Sequence, residues 1–379
     1  MFKVNSGVLV LENNDYQMNS QATAYLVSCY NNSLAELKDG KYYGSTVTPL
    51  FNPENITNIK IYGGKYQTTN PAYGKNNDHS YDDKQNMLAN GYYSYSLGDL
   101  LNDGNKWYEV RETLEEGKVS INGEVFNTID EAVENGLLFK VNKEAVIEIS
   151  GLVYLNNNND KSLKGLDLGT VNGELSSKVT VKGVDTNSKL VMNGWYAESL
   201  KAVNTTLCLK DLTLVDERDQ TSNAEAKAWE FYYIMPVCNE LICENVIFDG
   251  EGVRLGSVKK STFDSCVFNS TQSGHYGLWI GTKGHSSYAH YSENVEEVYV
   301  YNCMFTGYRG IKILGADDVI EVTDCTFDLE EKPGVCIDSF VDNDITFDRN
   351  LYLNNTKRVE CDGGIEYKFN GYTYNESLN

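Results

Sequence analysis

The 379-residue sequence predicts an all-β chain, a parallel β-helix (solenoid) with a short N-terminal β-helical block and a small capping helix. Three observations carry this: a repeat in the C-terminal two-thirds, a second repeat near the N-terminus, and a composition suited to frequent turns.

The C-terminal repeat is short. DLTL, NVIF, SCVF, NCMF, DCTF and DITF each place an apolar residue two positions before Leu or Phe. Leu212 precedes Leu214, Val246 Phe248, Cys266 Phe268, Cys303 Phe305, Cys325 Phe327 and Ile345 Phe347. Successive spacings are 34, 20, 37, 22 and 20 residues. Within each unit, polar and apolar positions alternate as in a strand with one buried face. In the N-terminal repeat, LVLENNDY, AELKDGKY and IKIYGGKY align on Tyr16, Tyr42 and Tyr66, with Leu11, Leu37 and Ile61 at one inward position and Leu9, Ala35 and Ile59 at another. The chain has 32 Gly, 5 Pro and 27 Tyr, with Asn in clusters. Asn, Gly and Asp tolerate the backbone of tight corners, while Tyr, Val, Ile and Thr favour strands.

Self-similarity at 20–26 residues indicates a solenoid. Leucine-rich repeats would show LxxLxL and helical repeats a 3.6-residue period; neither is present. Short β units with Asn/Gly corners fit coils of two or three strands. The two long spacings then mark coils carrying loops, at 222–236 and 271–294.

These repeats resemble right-handed parallel β-helix proteins of the pectin-lyase-like class. Two further segments resemble modules of surface proteins from gut bacteria and their phages. IYGGKYQ followed by MLANGYYSYSLGDLLNDGNKWYEV (87–110) is similar to a unit that closes a β-helix block. VSINGEVFNTIDEAVENG (119–136) is similar to one that opens the next. The expected organisation is a block at 1–68, a connecting hairpin region at 69–118, and the main β-helix at 119–379. Within the second module, Thr128 is placed to N-cap a helix near 128–135, with Glu131 completing a capping box. Ile129, Ala132 and Val133 supply its apolar face and Gly136 its stop. Such a helix would cover the open end of a stack, where an unpaired rung invites aggregation.

The formal net charge is −22. No basic stripe offers a nucleic-acid surface, and no apolar run approaches the roughly 18 residues that cross a bilayer. The start, MFKVNSGVLVLENNDY, lacks a signal-peptide pattern. No cofactor is expected; loosely held Ca²⁺ is the one cation that such acidity would suit.

Nine Cys without paired spacing do not form a disulfide framework. Three in-register thiols on rungs about 4.8 Å apart would span roughly 9.6 Å. One zinc ion with bonds of about 2.3 Å bridges only about 4.6 Å. Cys266, Cys303 and Cys325 are therefore read as apolar ladder residues. The stretch GHYGLWIGTKGHSSYAHYSENVEE (274–297) is read as a His- and aromatic-rich loop. His275, His285 and His290 lie 10 and 5 residues apart, which fixes no metal geometry. With Tyr276, Trp279, Tyr288 and Tyr291 they offer the aromatic faces and polar edges that suit a sugar ring, making them the candidate ligand-binding residues.

Glycoside hydrolysis needs two carboxyls about 5–9.5 Å apart. The candidates are Asp249, Glu251 and Asp338, near Arg254. GHYG (274–277) and RGIKI (309–313) resemble fragments of the polygalacturonase pattern, but the paired acids that should precede them are missing, and Asp317-Asp318 comes afterwards. No GxSxG, P-loop, dinucleotide fingerprint or HExxH is present. The expectation is a non-catalytic surface or virion structural protein, located on a virion or a bacterial cell surface. Its loops would meet a cell-surface glycan or a protein partner, and as a phage fibre it would be a homotrimer. The alternative is a polysaccharide-degrading hydrolase or lyase.

Overall fold

The computed structural model describes residues 2–18, 25–44, 50–52, 58–72, 87–136, 144–155, 166–168, 170–171, 174–175, 178–192, 200–216, 234, 236–250, 252–271, 273, 275–281, 295–314, 319–330, 334–337, 344–353 and 359–361. The chain is all-β with long parallel sheets, and the described residues contain one α-helix, Ile129–Gly136. It divides into two compact units, Met1–Ser150 and Gly151–Asn379.

The first unit opens with the N-terminal repeat. Val8–Glu12, Leu34–Lys38 and Ile59–Ile61 pair in parallel, setting Leu9, Ala35 and Ile59 in one row and Leu11, Leu37 and Ile61 in the next. Asp15–Gln17, Lys41–Tyr43 and Gly64–Gln67 follow likewise, with Tyr16, Tyr42 and Tyr66 in register. The three rings stack at 5.2 and 4.6 Å. Tyr66 is fully buried and donates its hydroxyl to the Gly63 carbonyl at 2.7 Å, so its polar end is satisfied within the corner. The intervening corners are tight: a Cβ on Gly40, whose φ is +111°, would lie 2.6 Å from the Asn14 carbonyl oxygen.

Pairing then turns antiparallel. Trp107–Arg111 lies between Gly64–Gln67 and Tyr93–Gly98. Val119–Ile121 and Glu124–Phe126 form a hairpin around Asn122-Gly123, both at positive φ as a two-residue Asn-Gly turn requires. The helix starts as its sequence indicates. Thr128 Oγ1 accepts from the Glu131 N–H at 3.0 Å, while the Glu131 carboxylate reaches back to the N–H of Asn127 at 3.1 Å, one residue earlier than in a standard capping box. Ile129, Ala132 and Val133 are buried.

A buried carboxyl that the sequence reading missed sits beside this hairpin. Glu124 pairs with Ser94 and accepts from Asn70 Nδ2 at 3.0 Å; Asn70 Oδ1 accepts in turn from Ser94 Oγ and the Ala72 N–H. Burial pushes the Glu124 carboxyl up to about 8; the Asn70 hydrogen bond opposes this and the Glu131 charge adds to it.

In the second unit, from Pro236 onward, the chain visits three sheets in rotation. The first sheet takes Pro236–Glu244, Ser257–Asp264, Glu297–Tyr301, Val319–Thr323 and Asp344–Asp348. The second takes Ile247–Gly250, Val267–Ser270, Met304–Gly307, Thr326–Leu329 and Leu351–Tyr352. The third takes Val253–Leu255, Tyr276–Ile280, Arg309–Ile313, Val335–Ile337 and Val359–Cys361. Every pairing among these strands is parallel, and each circuit of three strands adds one to each sheet.

The repeated Phe forms the spine of the second sheet. Phe248, Phe268, Phe305, Phe327 and Tyr352 stack face to face at 4.9, 4.7, 4.8 and 4.9 Å. Cys266, Cys303 and Cys325 occupy one buried position at the preceding corner, each about 1% exposed and free. Their thiols donate to the backbone carbonyls of Cys243, Phe263 and Val300. Cys303 also lies between the thiols of Cys266 and Cys325, and those contacts together with burial hold its proton on.

One assignment changes. DITF does not continue the series: Ile345 and Phe347 pair with Ile320 and Val322 in the first sheet. The successor of Phe327 is Tyr352, and Asn350 stands at the corner after Arg349 as Cys325 does after Asp324. Asn350 is buried, accepts from the Cys325 N–H at 2.9 Å and donates to the Val322 carbonyl at 2.8 Å.

Each corner between the first and second sheets turns on one residue with φ of 52–56°: Asp211, Asn245, Ser265, Asn302, Asp324 and Arg349. Asn and Asp adopt this conformation at low cost. For Arg349 the guanidinium grips Asp324, Nε to Oδ1 at 2.7 Å and Nη2 to Oδ2 at 2.6 Å, which offsets the strain.

Phe305→Ala removes a ring packed on both faces and is expected to cost about 3–5 kcal/mol of unfolding free energy. Met304→Ala, at a 39% exposed neighbour, is expected to stay within about 0.5 kcal/mol. Urea denaturation of both variants checks the contrast. A second expectation concerns pH. Folded Glu124 keeps its proton to about pH 8, whereas the unfolded chain releases it near 4.5. Between those values unfolding releases a proton, so stability falls as pH rises, by at most about 1.4 kcal/mol per pH unit. Glu124→Gln should flatten that slope in denaturation curves taken from pH 4.5 to 8.

Candidate functional site

The stretch read as one loop at 274–297 is divided by the structure. Tyr276–Ile280 is a strand of the third sheet, and Glu297 begins a strand of the first. The local cause is the alternation Leu278-Trp279-Ile280, which buries Leu278 and Ile280 in rows with Val253, Ile311 and Val335 and with Leu255, Ile313 and Ile337. Between those rows run Arg254, Trp279, Lys312 and Cys336, which alternation turns to the opposite face. Gly277 and Gly310 let this sheet approach the spine: a Cβ on Gly277 would sit 2.9 Å from Phe268, and one on Gly310 2.9 Å from the Phe327 ring.

The row is cationic and aromatic. The Arg254 guanidinium lies over the Trp279 ring at 4.9 Å, and that of Arg309 over the Tyr276 ring at 5.4 Å. Tyr276 and Trp279 meet edge to face at 6.0 Å. Lys312 Nζ donates to Cys336 Sγ at 3.2 Å. Burial pushes the Tyr276 hydroxyl up to about 12, Cys336 adds to that, and Lys312 and Arg309 pull it back. Arg254 is 1% exposed, Tyr276 6%, and His275, Trp279 and Lys312 9% each. The His275 carbonyl accepts from Ser270 Oγ at 2.8 Å.

Of the residues nominated for ligand binding, the fold thus brings His275, Tyr276 and Trp279 together, all buried. His285, Tyr288, His290 and Tyr291 lie outside the described residues. Of the nominated carboxylates, Glu251 and Asp338 also lie outside them. Asp249 belongs to the second sheet, where it accepts from Asn269 Nδ2 at 2.7 Å in a register row with Asn269, Thr306 and Asp328. Arg254 belongs to the third. Among the described residues no group of three or more His, Cys, Asp or Glu could hold a metal ion, and no helix is long and apolar enough to cross a membrane.

Arg309 and Lys312 were noted only as part of the RGIKI fragment, and Cys336 was not singled out. Their signal was the same alternation: Lys312 sits between Ile311 and Ile313, and Cys336 between Val335 and Ile337. Comparison with known protein families, curated proteins and solved structures finds no match.

Because Trp279 is buried against Arg254, Trp279→Ala is expected to cost about 3–5 kcal/mol of stability, whatever it does to a ligand. Trp279→Phe should retain most of that. Chemical denaturation monitored by far-UV circular dichroism separates the two.

Proposed function

We propose that the chain is a right-handed parallel β-helix of the pectin-lyase-like kind. On this reading it serves as a non-catalytic surface or virion structural protein, of phage-fibre, decoration or adhesin type. The rotation through three parallel sheets, one added strand per visit, supports the architecture.

The observation that carries the functional reading is how the segment 282–294 is anchored. It departs after Gly281, whose N–H donates to the Leu255 carbonyl at 2.9 Å. It returns at Val295, 4% exposed, followed by Glu296, whose N–H donates to the Lys259 carbonyl at 2.8 Å. Both flanks are therefore tied to one short stretch of chain, Leu255–Lys259. The flanks of the stretch carrying His285, Tyr288, His290 and Tyr291 are thus fixed to a regular frame, which supports reading that stretch as one displayed to a glycan or protein partner.

Replacing 282–294 with a Gly-Ser linker is expected to abolish retention on a panel of host glycans while leaving the melting temperature unchanged. Unchanged retention removes the loop from the reading. Release of reducing ends or unsaturated sugars that disappears in Asp249→Asn would replace display with polysaccharide degradation.

A further inference from the structure

The cysteines of the second and third sheets differ in their environments. Cys266, Cys303 and Cys325 are inside the stack, donating to carbonyls among apolar side chains. Buried structural thiols of this kind are unreactive. Cys336 is placed differently. Val335 and Ile337, both fully buried, point into the core, so the intervening Cys336 faces the other way, in the row of Arg254, Trp279 and Lys312.

Three groups from three strands meet there. Lys312 Nζ donates to Cys336 Sγ at 3.2 Å, and the Tyr276 hydroxyl is hydrogen-bonded to the same sulfur. Arg309 stands over the Tyr276 ring. On the other side, strand Val359–Cys361 places Glu360 at the position paired with Cys336. Lys312 and Tyr276 are each more than nine-tenths buried, and the Lys312 ammonium is aimed at the sulfur. An ammonium in hydrogen-bond contact favours the thiolate, and where water is scarce its attraction is larger than at the surface. A hydroxyl donor stabilises the same anion.

We propose that Cys336, with Lys312 and Tyr276, forms a peroxide-reactive thiolate site on the third sheet. Burial selects the reagent: Cys336 is 3% exposed, which favours a small two-electron oxidant over a bulky thiol or alkylating agent. The step balances as follows. The thiolate attacks one oxygen of hydrogen peroxide, an S–O bond forms as the O–O bond breaks, sulfur loses two electrons, and hydroxide leaves. The product is Cys336 sulfenic acid, and burial shields it from a second thiol that would resolve it.

The test treats the folded full-length chain with hydrogen peroxide from pH 5.5 to 9.5. Catalase stops the reaction, the chain is unfolded in the presence of dimedone, and each cysteine is mapped by mass spectrometry. Cys336 is expected to be labelled at least tenfold faster than Cys266, Cys303 or Cys325. Its rate should have a midpoint below the ordinary thiol value of about 8.5. Lys312→Met should slow labelling at pH 7 at least tenfold and raise the midpoint, whereas Lys312→Arg should preserve both. Labelling of Cys336 no faster than the core thiols would overturn the proposal, as would a midpoint indifferent to Lys312→Met. Should Lys312→Met fail to fold, the wild-type comparison between Cys336 and the core thiols, with its pH profile, still decides.

Discussion

The constraint on which the second unit depends from Phe248 onward is that one aromatic ring per circuit must lie flat on the next. Parallel strands neighbour each other at about 4.8 Å, and the Phe rings stack at 4.7–4.9 Å. The backbone spacing and the ring spacing are thus satisfied together. Every other regularity follows from returning a Phe to the same place. The corner needs a residue that tolerates positive φ, the position after it must be small enough to pack under the ring, and the third sheet needs glycines where it runs against the spine.

Much of this was legible because the periods are short and the residue types distinctive. The N-terminal rows pair in the structure as the repeat aligns them, since Tyr16, Tyr42 and Tyr66 mark them without ambiguity. The helix at Ile129–Gly136 was equally plain from its cap and apolar face. The error at DITF is instructive. Asp344-Ile345-Thr346-Phe347 satisfies the local pattern as well as any true member, whereas the real site, Arg349-Asn350-Leu351-Tyr352, looks wrong at both of its first two positions. Only pairing distinguishes them, and pairing depends on circuit length. A strand of the first sheet and one of the second can carry the same alternation. What separates them is which neighbour they meet.

The candidate site was less legible for a related reason. Arg254, Trp279 and Lys312 are 25 and 33 residues apart in sequence, with no local motif between them. Register alone brings them into a row. The sequence drew attention to aromatics and histidines, of which Trp279 is in the row and Tyr276 lies against it. It gave no hint that three cations would gather beside them in a chain of net charge −22. Composition describes the average surface, and this row departs from that average because alternation sorts residues by face regardless of sign.

Asn350 does more than fill a corner. Cys266, Cys303 and Cys325 each reach one rung back to a first-sheet carbonyl through a single thiol, and Asn350 Nδ2 reaches the carbonyl that register places next in that row, Val322, at 2.8 Å. Its Oδ1 adds an acceptor, taking the Cys325 N–H at 2.9 Å. A corner that elsewhere is tied once is here clasped twice, and an apolar residue in this place would leave both backbone groups without that partner, at a cost of about 1–3 kcal/mol each. The amide fastens the Tyr352 rung to the one beneath it by polar contacts, where the neighbouring rungs rely on a weak thiol donor and on packing.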